Sequence, residues 1–218
     1  MKQDILVTVD WVIFSINNNK LQILLIKRLL EPFKDSWALP GWFVLDDEDL
    51  ETAAYRELEE ETNVKEAYLE QLYTFWGPKR DPRWNVISIA YMSIVHINNI
   101  SLKSWTDATE AKFFPVEDLP KLAFDHKTII DYWYQRLKWK LEYTNIAQHL
   151  LADKFKFSDF QKVYEIVLNK RLDVRNFKKK IEKLNIIEDT GEKEEWVNHR
   201  PGKLFKFIDK KIKIVNIL

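Results

Sequence analysis

The stretch from Gly41 to Val64, GWFVLDDEDLETAAYRELEEETNV, constrains this chain more than any other. Asp49 can cap a helix whose apolar positions, Leu50, Ala53, Ala54 and Leu58, recur at helical spacing, and Asn63 can close it. At about 100° per residue, Leu50, Ala53 and Ala54 fall within about 60° of Glu57, and so do Glu60 and Glu61. Three carboxylates therefore share the sector that is apolar and inward two turns earlier. Glu51 and Glu59 point elsewhere, to solvent. Like charges on an inward face repel and resist desolvation unless a cation joins them or protons stay on. A hard divalent ion with oxygen ligands, Mg²⁺ or Mn²⁺, suits Glu57, Glu60 and Glu61. A run of glutamates is also the commoner mark of an exposed acidic helix end, so the angles alone favour a metal only modestly.

The spacing resembles the Nudix box, a Gly, five residues, Glu, seven residues, then Arg-Glu-apolar-x-Glu-Glu-x-Gly-apolar. Glu48, Arg56, Glu57, Leu58, Glu60, Glu61 and Val64 match it in register. The resemblance implies Mg²⁺ or Mn²⁺ on Glu57, Glu60 and Glu61, the same glutamates as catalytic groups, and Arg56 orienting them. Two glycines of the pattern are replaced. Asn63 stands for the closing one, a mild change because Asn tolerates a left-handed helix stop. Trp42 stands for the opening one. Glycine there allows close backbone approach or a positive φ; Trp forbids the first and strains the second. Metal binding and catalysis are thus separable expectations here.

Before and after the box the chain alternates between β-rich and helical patterns. Residues 4–16 and 21–28 read as a hairpin around Asn17-Asn18-Asn19. Strands follow at 67–76, 86–97 and 110–116, with a polar loop from Gly77 to Trp84, and a helix runs from about Asp125 to Tyr143. Strands, helix, strands and helix suit a mixed sheet covered on both sides. The pattern resembles the Nudix fold, an α/β/α sandwich. The stretches Trp37-Ala38-Leu39-Pro40-Gly41, Asp47-Glu48-Asp49-Leu50, Arg80-Asp81-Pro82-Arg83 and Phe124-Asp125-His126 resemble one subgroup, the Nudix-related transcriptional regulators. In that family the domain is a sensor, of ADP-ribose in regulators of NAD metabolism and of a sugar or sugar phosphate in some relatives.

The charge balance supports a division of labour. The chain has 34 basic and 34 acidic residues, yet residues 151–218 hold 17 of the former and 11 of the latter. A basic part suits a polyanion. Within it, Phe157-Ser158-Asp159 can cap a helix through Lys170, and a second helix spans Val174–Leu184 with Phe177, Ile181 and Leu184 inward. Arg175, Lys178 and Lys179 fall on its outer face. Two strands, 186–190 and 203–208, bracket a turn containing Gly191, His199, Arg200 and Pro201. Helix, turn, helix and hairpin describe an α+β winged helix-turn-helix domain. A basic helical face is most often only a solvated surface, but residues 151–207 also resemble the C-terminal domain of the same regulator family. The expected division is 1–145 for the effector-sensing domain and 146–218 for the DNA-binding one.

Single residues can then be assigned. Arg28, Arg80 and Arg83 suit phosphate oxygens because guanidinium forks match them. Trp37, Trp42, Phe43 and Trp84 can stack on a base or a sugar, Trp42 foremost, since aromatics beside strands are more often core. Arg175 and Asn176 can read bases, Lys178 and Lys179 can neutralise phosphates, and Arg200 and Lys203 can grip the backbone from the wing. His126 and His199 read as structural, and His96 and His149 lack partners at metal-ligand spacing. The absence of cysteine excludes disulfides and thiolate metal sites. The N-terminus has no signal-peptide layout and no apolar run reaches the length of a membrane span, so a cytoplasmic protein is expected. The favoured function is a dimeric DNA-binding regulator that senses a nucleotide sugar or sugar metabolite. The alternative is an active Nudix hydrolase cleaving ADP-ribose or a related diphosphate with Mg²⁺, and a binding module without DNA contact is the weakest.

Overall fold

The computed structural model describes residues 5–45, 47–62, 68–100, 108–196 and 200–218, with the backbone alone at 57 and 59–62. Asn63, Val64 and His199 lie outside the described residues. The chain divides into two compact units, Met1–Tyr134 and Gln135–Leu218.

The first unit is built on one long strand, β1 (Ile5–Asn17), flanked in the sheet by β2 (Lys20–Arg28) and, further along the chain, by β6 (Asn85–Ile94). The hairpin β1–β2 turns at Asn18 and Asn19, both with positive φ, as the Asn run predicts. The remaining strands are β3 (Trp37–Ala38) on β2, β4 (Gly41–Phe43) on β1, β5 (Tyr68–Phe75) on β6, and β7 (Ala108–Pro115) on β2. β1 and β6 run parallel while the other pairs are antiparallel, so the sheet is mixed. In β1, Val9, Trp11 and Ile13 are buried on one face and Val12 and Phe14 on the other. A strand buried on both faces reads as a near-continuous apolar run, which is why no alternation is visible in its sequence. Helix α1 (Leu50–Thr62) covers the first face, placing Ala53, Ala54 and Leu58 against Val9, Trp11 and Ile13. Truncating a side chain such as Leu58 there would cost about 2–5 kcal/mol. The short strands β3 and β4 escaped sequence reading because two or three residues carry no period.

Helix α2 (His126–Tyr143) follows, with Ile129, Ile130, Trp133 and Leu137 fully buried. The second unit contains β8 (Phe155–Lys156), α3 (Phe157–Leu168), α4 (Val174–Leu184), β9 (Ile187–Lys193) and β10 (Lys203–Phe207). β10 lies between β8 and β9, an antiparallel wing with an extra strand that the sequence did not announce. α3 begins at Phe157, and Ser158 is inside it rather than a cap; the Asp159 carboxylate accepts the Lys156 amide instead. Both helices end on left-handed asparagines, Asn169 and Asn185. The core is aromatic, with Phe160 touching Phe155, Tyr164, Phe177 and Phe207. Among the described residues no helix is long and apolar enough to cross a membrane.

Candidate functional site

At one edge of the first unit, strands β1, β2 and β4, the loop from Gly77 to Trp84 and the start of α2 enclose a cleft. Four of the five residues assigned to an effector by sequence, Arg28, Trp42, Arg80 and Arg83, line it. Trp37 does not. It sits in β3 opposite Lys27, its ring edge-on to Phe114 at 4.6 Å, because strand pairing turns it toward β7. Trp42 occupies β4 opposite Val9 in extended backbone, so it needs no positive φ and carries no strain. The close approach falls instead to Gly41, opposite Asp10, where a Cβ would collide with the Val9 carbonyl and stand 2.5 Å from Asp10 Oδ1.

The arginines differ in what they can do. Arg80 is buried, and its fork donates to Asp125 at 3.1 and 2.9 Å while Asp10 lies 3.6 Å away. Its side chain is only 7% exposed, so it braces the cleft from within. Arg83 donates twice to Asp81, at 3.0 and 2.8 Å, and lies 4.8 Å over the Trp84 ring. Burial would raise the Asp81 carboxyl, but the Arg83 fork and the Arg83 amide outweigh it and hold that carboxyl below the ordinary range. Arg28 donates to the Pro32 and Leu30 carbonyls and stacks over Phe124 at 4.9 Å. Phe124 itself adopts φ 51, unusual for a bulky residue, between the loop and α2. Guanidiniums fixed in this way are pre-organised for phosphate oxygens.

Sequence reading missed Asp10 and Phe124 as cleft residues, while Phe43 and Trp84, weighed there as stacking rings, do line it. Trp84 is 53% exposed and Trp42 41%, so both present ring surface at the rim. His126, read as structural, does bond within the protein: its Nδ1 accepts the Leu39 amide at 2.8 Å. It also lines the cleft. Burial holds it below the ordinary imidazole range, so the ring is neutral.

Asp49 caps α1 by accepting the Thr52 amide at 2.7 Å, as expected. Arg56 donates to both oxygens of Glu48 at 3.0 and 2.8 Å, and this fork lowers the Glu48 carboxyl from its ordinary range. Glu57, Glu60 and Glu61 fall on α1, but their side chains lie outside the described residues. Among the described residues no group of three His, Asp or Glu is arranged to hold a metal ion.

In the second unit, Asp173 caps α4 by accepting the Asn176 amide at 2.8 Å. Phe177 and Ile181 are buried, and Arg175, Asn176, Lys178 and Lys179 are exposed, in agreement with the helical angles. Lys178 lies 3.9 Å from Glu182, one turn on. On the wing, Lys203 donates to Asp189 at 2.7 Å, while Arg200 is exposed. A phosphate would have to compete with Asp189 for Lys203. α4 is the element whose geometry suits a groove.

Comparison with known proteins agrees with this two-part layout. Residues 7–137 match the NUDIX domain family and residues 147–207 match the NrtR DNA-binding winged helix domain. The chain is 32% identical to the ADPR responsive transcriptional repressor NtrR of Acinetobacter baylyi over 206 residues, 93% of this chain and 82% of the relative. It is 45% identical to the ADP-ribose pyrophosphatase of Methanocaldococcus jannaschii over 135 residues, 62% of this chain and 74% of the relative. The crystal structure of Shewanella oneidensis NrtR complexed with a 27mer DNA superposes with a TM-score of 0.82 at 31% identity, covering 92% of this chain and 93% of that one. The chain therefore belongs to the Nudix-related transcriptional regulators, in which a NUDIX domain precedes a DNA-binding winged helix domain of the NrtR type.

Proposed function

We propose that this protein is a transcriptional repressor that binds operator DNA through α4 and its wing, and that ADP-ribose in the cleft of the first unit weakens that binding. The observation that carries the reading is the convergence of Arg28, Arg83, Trp42 and Trp84 on one cleft. Two fixed guanidiniums suit a diphosphate, and two exposed indoles suit a base. The effector assignment is supported by two relatives of different kinds whose names both refer to ADP-ribose. Residues 1–145 serve sensing and 146–218 serve DNA binding. Arg175 and Asn176 read base edges, and Lys178, Lys179, Arg200 and Lys203 neutralise phosphates. The protein acts in the cytoplasm as a homodimer on a palindromic site. Regulation requires ADP-ribose to bind more tightly to the DNA-free arrangement than to the DNA-bound one, since only differential affinity shifts an equilibrium. Anisotropy of labelled promoter DNA at two salt concentrations, with and without ADP-ribose, tests this. Sequence-selective, salt-sensitive binding that ADP-ribose weakens is expected; an affinity unchanged by saturating ADP-ribose would remove the sensor.

A second reading is favoured by the intact Arg56–Glu48 fork beside α1 and by the identity to a pyrophosphatase. Glu57, Glu60 and Glu61 offer hard oxygen donors on successive turns of a helix anchored by Ala53, Ala54 and Leu58, which fits Mg²⁺ or Mn²⁺. A bound ion would supply Lewis-acid polarisation at phosphorus. Arg56 would position the box through Glu48, and one of the glutamates would take the proton of the attacking water. Incubating ADP-ribose and Mg²⁺ with the protein and with Glu61→Gln decides it: equal rates eliminate the hydrolase.

A further inference from the structure

The cleft grades from an open aromatic rim to a closed polar end. Trp42 and Trp84 are 41% and 53% exposed, whereas Asp10 and His126, which line the same cleft, are 7% and 4% exposed. The Asp10 carboxylate accepts the Ser88 hydroxyl on Oδ2, and Oδ1 faces the α-carbon of Gly41. Because position 41 has no side chain, no Cβ stands against that oxygen. The His126 ring accepts the Leu39 amide at Nδ1, so in its neutral form the single ring hydrogen sits on Nε2. Among the described residues no acceptor bonds Nε2. A buried carboxylate acceptor and a buried neutral donor thus line the same cleft, near enough for the Asp10 charge to act on the His126 ring.

This pair has a defined chemical preference. A carboxylate repels phosphate oxygens and has no donor, so it needs a hydroxyl or amine that gives it a hydrogen. A neutral imidazole N–H needs an acceptor and offers no charge to a phosphate. A hydroxyl does both, and two adjacent hydroxyls can answer both groups at once. Resting on the ADP-ribose reading above, we infer that Asp10 and His126 form the closed end of the cleft that reads the vicinal hydroxyls of a sugar, so that the terminal ribose enters first. The diphosphate then lies along Arg28 and Arg83, and the adenine meets the indoles at the rim. Arg80 acts as a positioning residue: clamped by Asp125, it stands 3.6 Å from Asp10 and sets a fixed positive charge beside that carboxylate.

The test is calorimetric titration of the full-length wild-type protein and of Asp10→Asn with ADP-ribose, ADP, ribose 5-phosphate and 2-deoxyribose 5-phosphate. Loss of the terminal sugar, from ADP-ribose to ADP, should weaken wild-type binding at least about tenfold, because a buried polar pair is left unanswered. Asp10→Asn should remove most of that difference while changing ADP affinity less than about twofold. ADP binding as tightly as ADP-ribose would overturn the subsite and leave the effector reading standing. If ADP-ribose fails to bind, the nucleotide reading falls and the two sugar phosphates decide the subsite. A preference of about tenfold for ribose 5-phosphate over its 2-deoxy form keeps it, and equal or absent binding overturns it. The wild-type comparisons hold even where Asp10→Asn does not fold.

Discussion

Gly41 and Asp10 face each other across the β1–β4 ladder so closely that a Cβ on the first would stand 2.5 Å from Oδ1 of the second. Glycine is needed there for space, since its backbone is extended strand. Gly41→Ala must therefore push β4 from β1 or cover the carboxylate. We expect a loss of about 1–3 kcal/mol in thermal or denaturant unfolding and weaker ADP-ribose binding. Unchanged stability and affinity together would show that the approach is soft.

Arg80 and Arg83 share one loop but differ in role. Removing Arg80 as Arg80→Ala leaves Asp10 buried without its nearest cation, and a broken buried pair costs about 3–5 kcal/mol. Arg83→Lys keeps the charge but loses the fork on Asp81 and the stack on Trp84, so effector affinity should fall several-fold with little change in stability. Unfolding midpoints and titrations on both variants would separate the brace from the ligand arm; the reverse pattern would exchange their roles.

On the second unit, Arg175→Glu with Lys179→Glu should abolish operator binding without lowering the melting temperature, because both side chains are exposed. Single Ala replacements should reduce the salt slope of binding by about one for each phosphate no longer neutralised. Retained sequence-selective binding in the double variant would move the DNA interface off α4.

His149 is half-buried, and its loss of solvent lowers its pKa to about 4. Its folded value lies below the ordinary value of about 6.5, so the unfolded chain binds the proton more readily. The stabilising contribution is therefore complete above about pH 6.5 and is lost as pH falls through about 4. Urea unfolding of the wild type should show this decline, and His149→Gln should flatten it. A parallel decline in both would assign the pH dependence to other groups.

The C-terminal segment is tied back to the end of α2. Val215 and Ile217 donate to the Tyr143 and Glu142 carbonyls at 2.8 Å, and the Asn145 side chain bonds Lys211 and Lys213. Ile217 is fully buried. Ile217→Ala should cost about 2–4 kcal/mol and Asn145→Ala about 1–3 kcal/mol in unfolding of the full chain. Neutral effects would mean that the strap is ornamental to stability.

Local pattern was enough to set the elements and their chemistry. Asp49 as a cap, the inward Ala53, Ala54 and Leu58, the hairpin at Asn18, and the exposed Arg175 beside the buried Phe177 all follow from period and local hydrogen bonding, which act within a few residues. Relations between distant segments came only with the assembled sheet. Register placed Gly41 opposite Asp10, turned Trp37 toward Phe114, and brought Arg80 onto Asp125, 45 residues away. No local pattern records such pairings, because a strand's neighbours are chosen by the packing of the whole sheet. The stretch around Glu57 thus announced a phosphate-handling fold, while the cleft that gives it a ligand was assembled from β1, β4, the loop and α2.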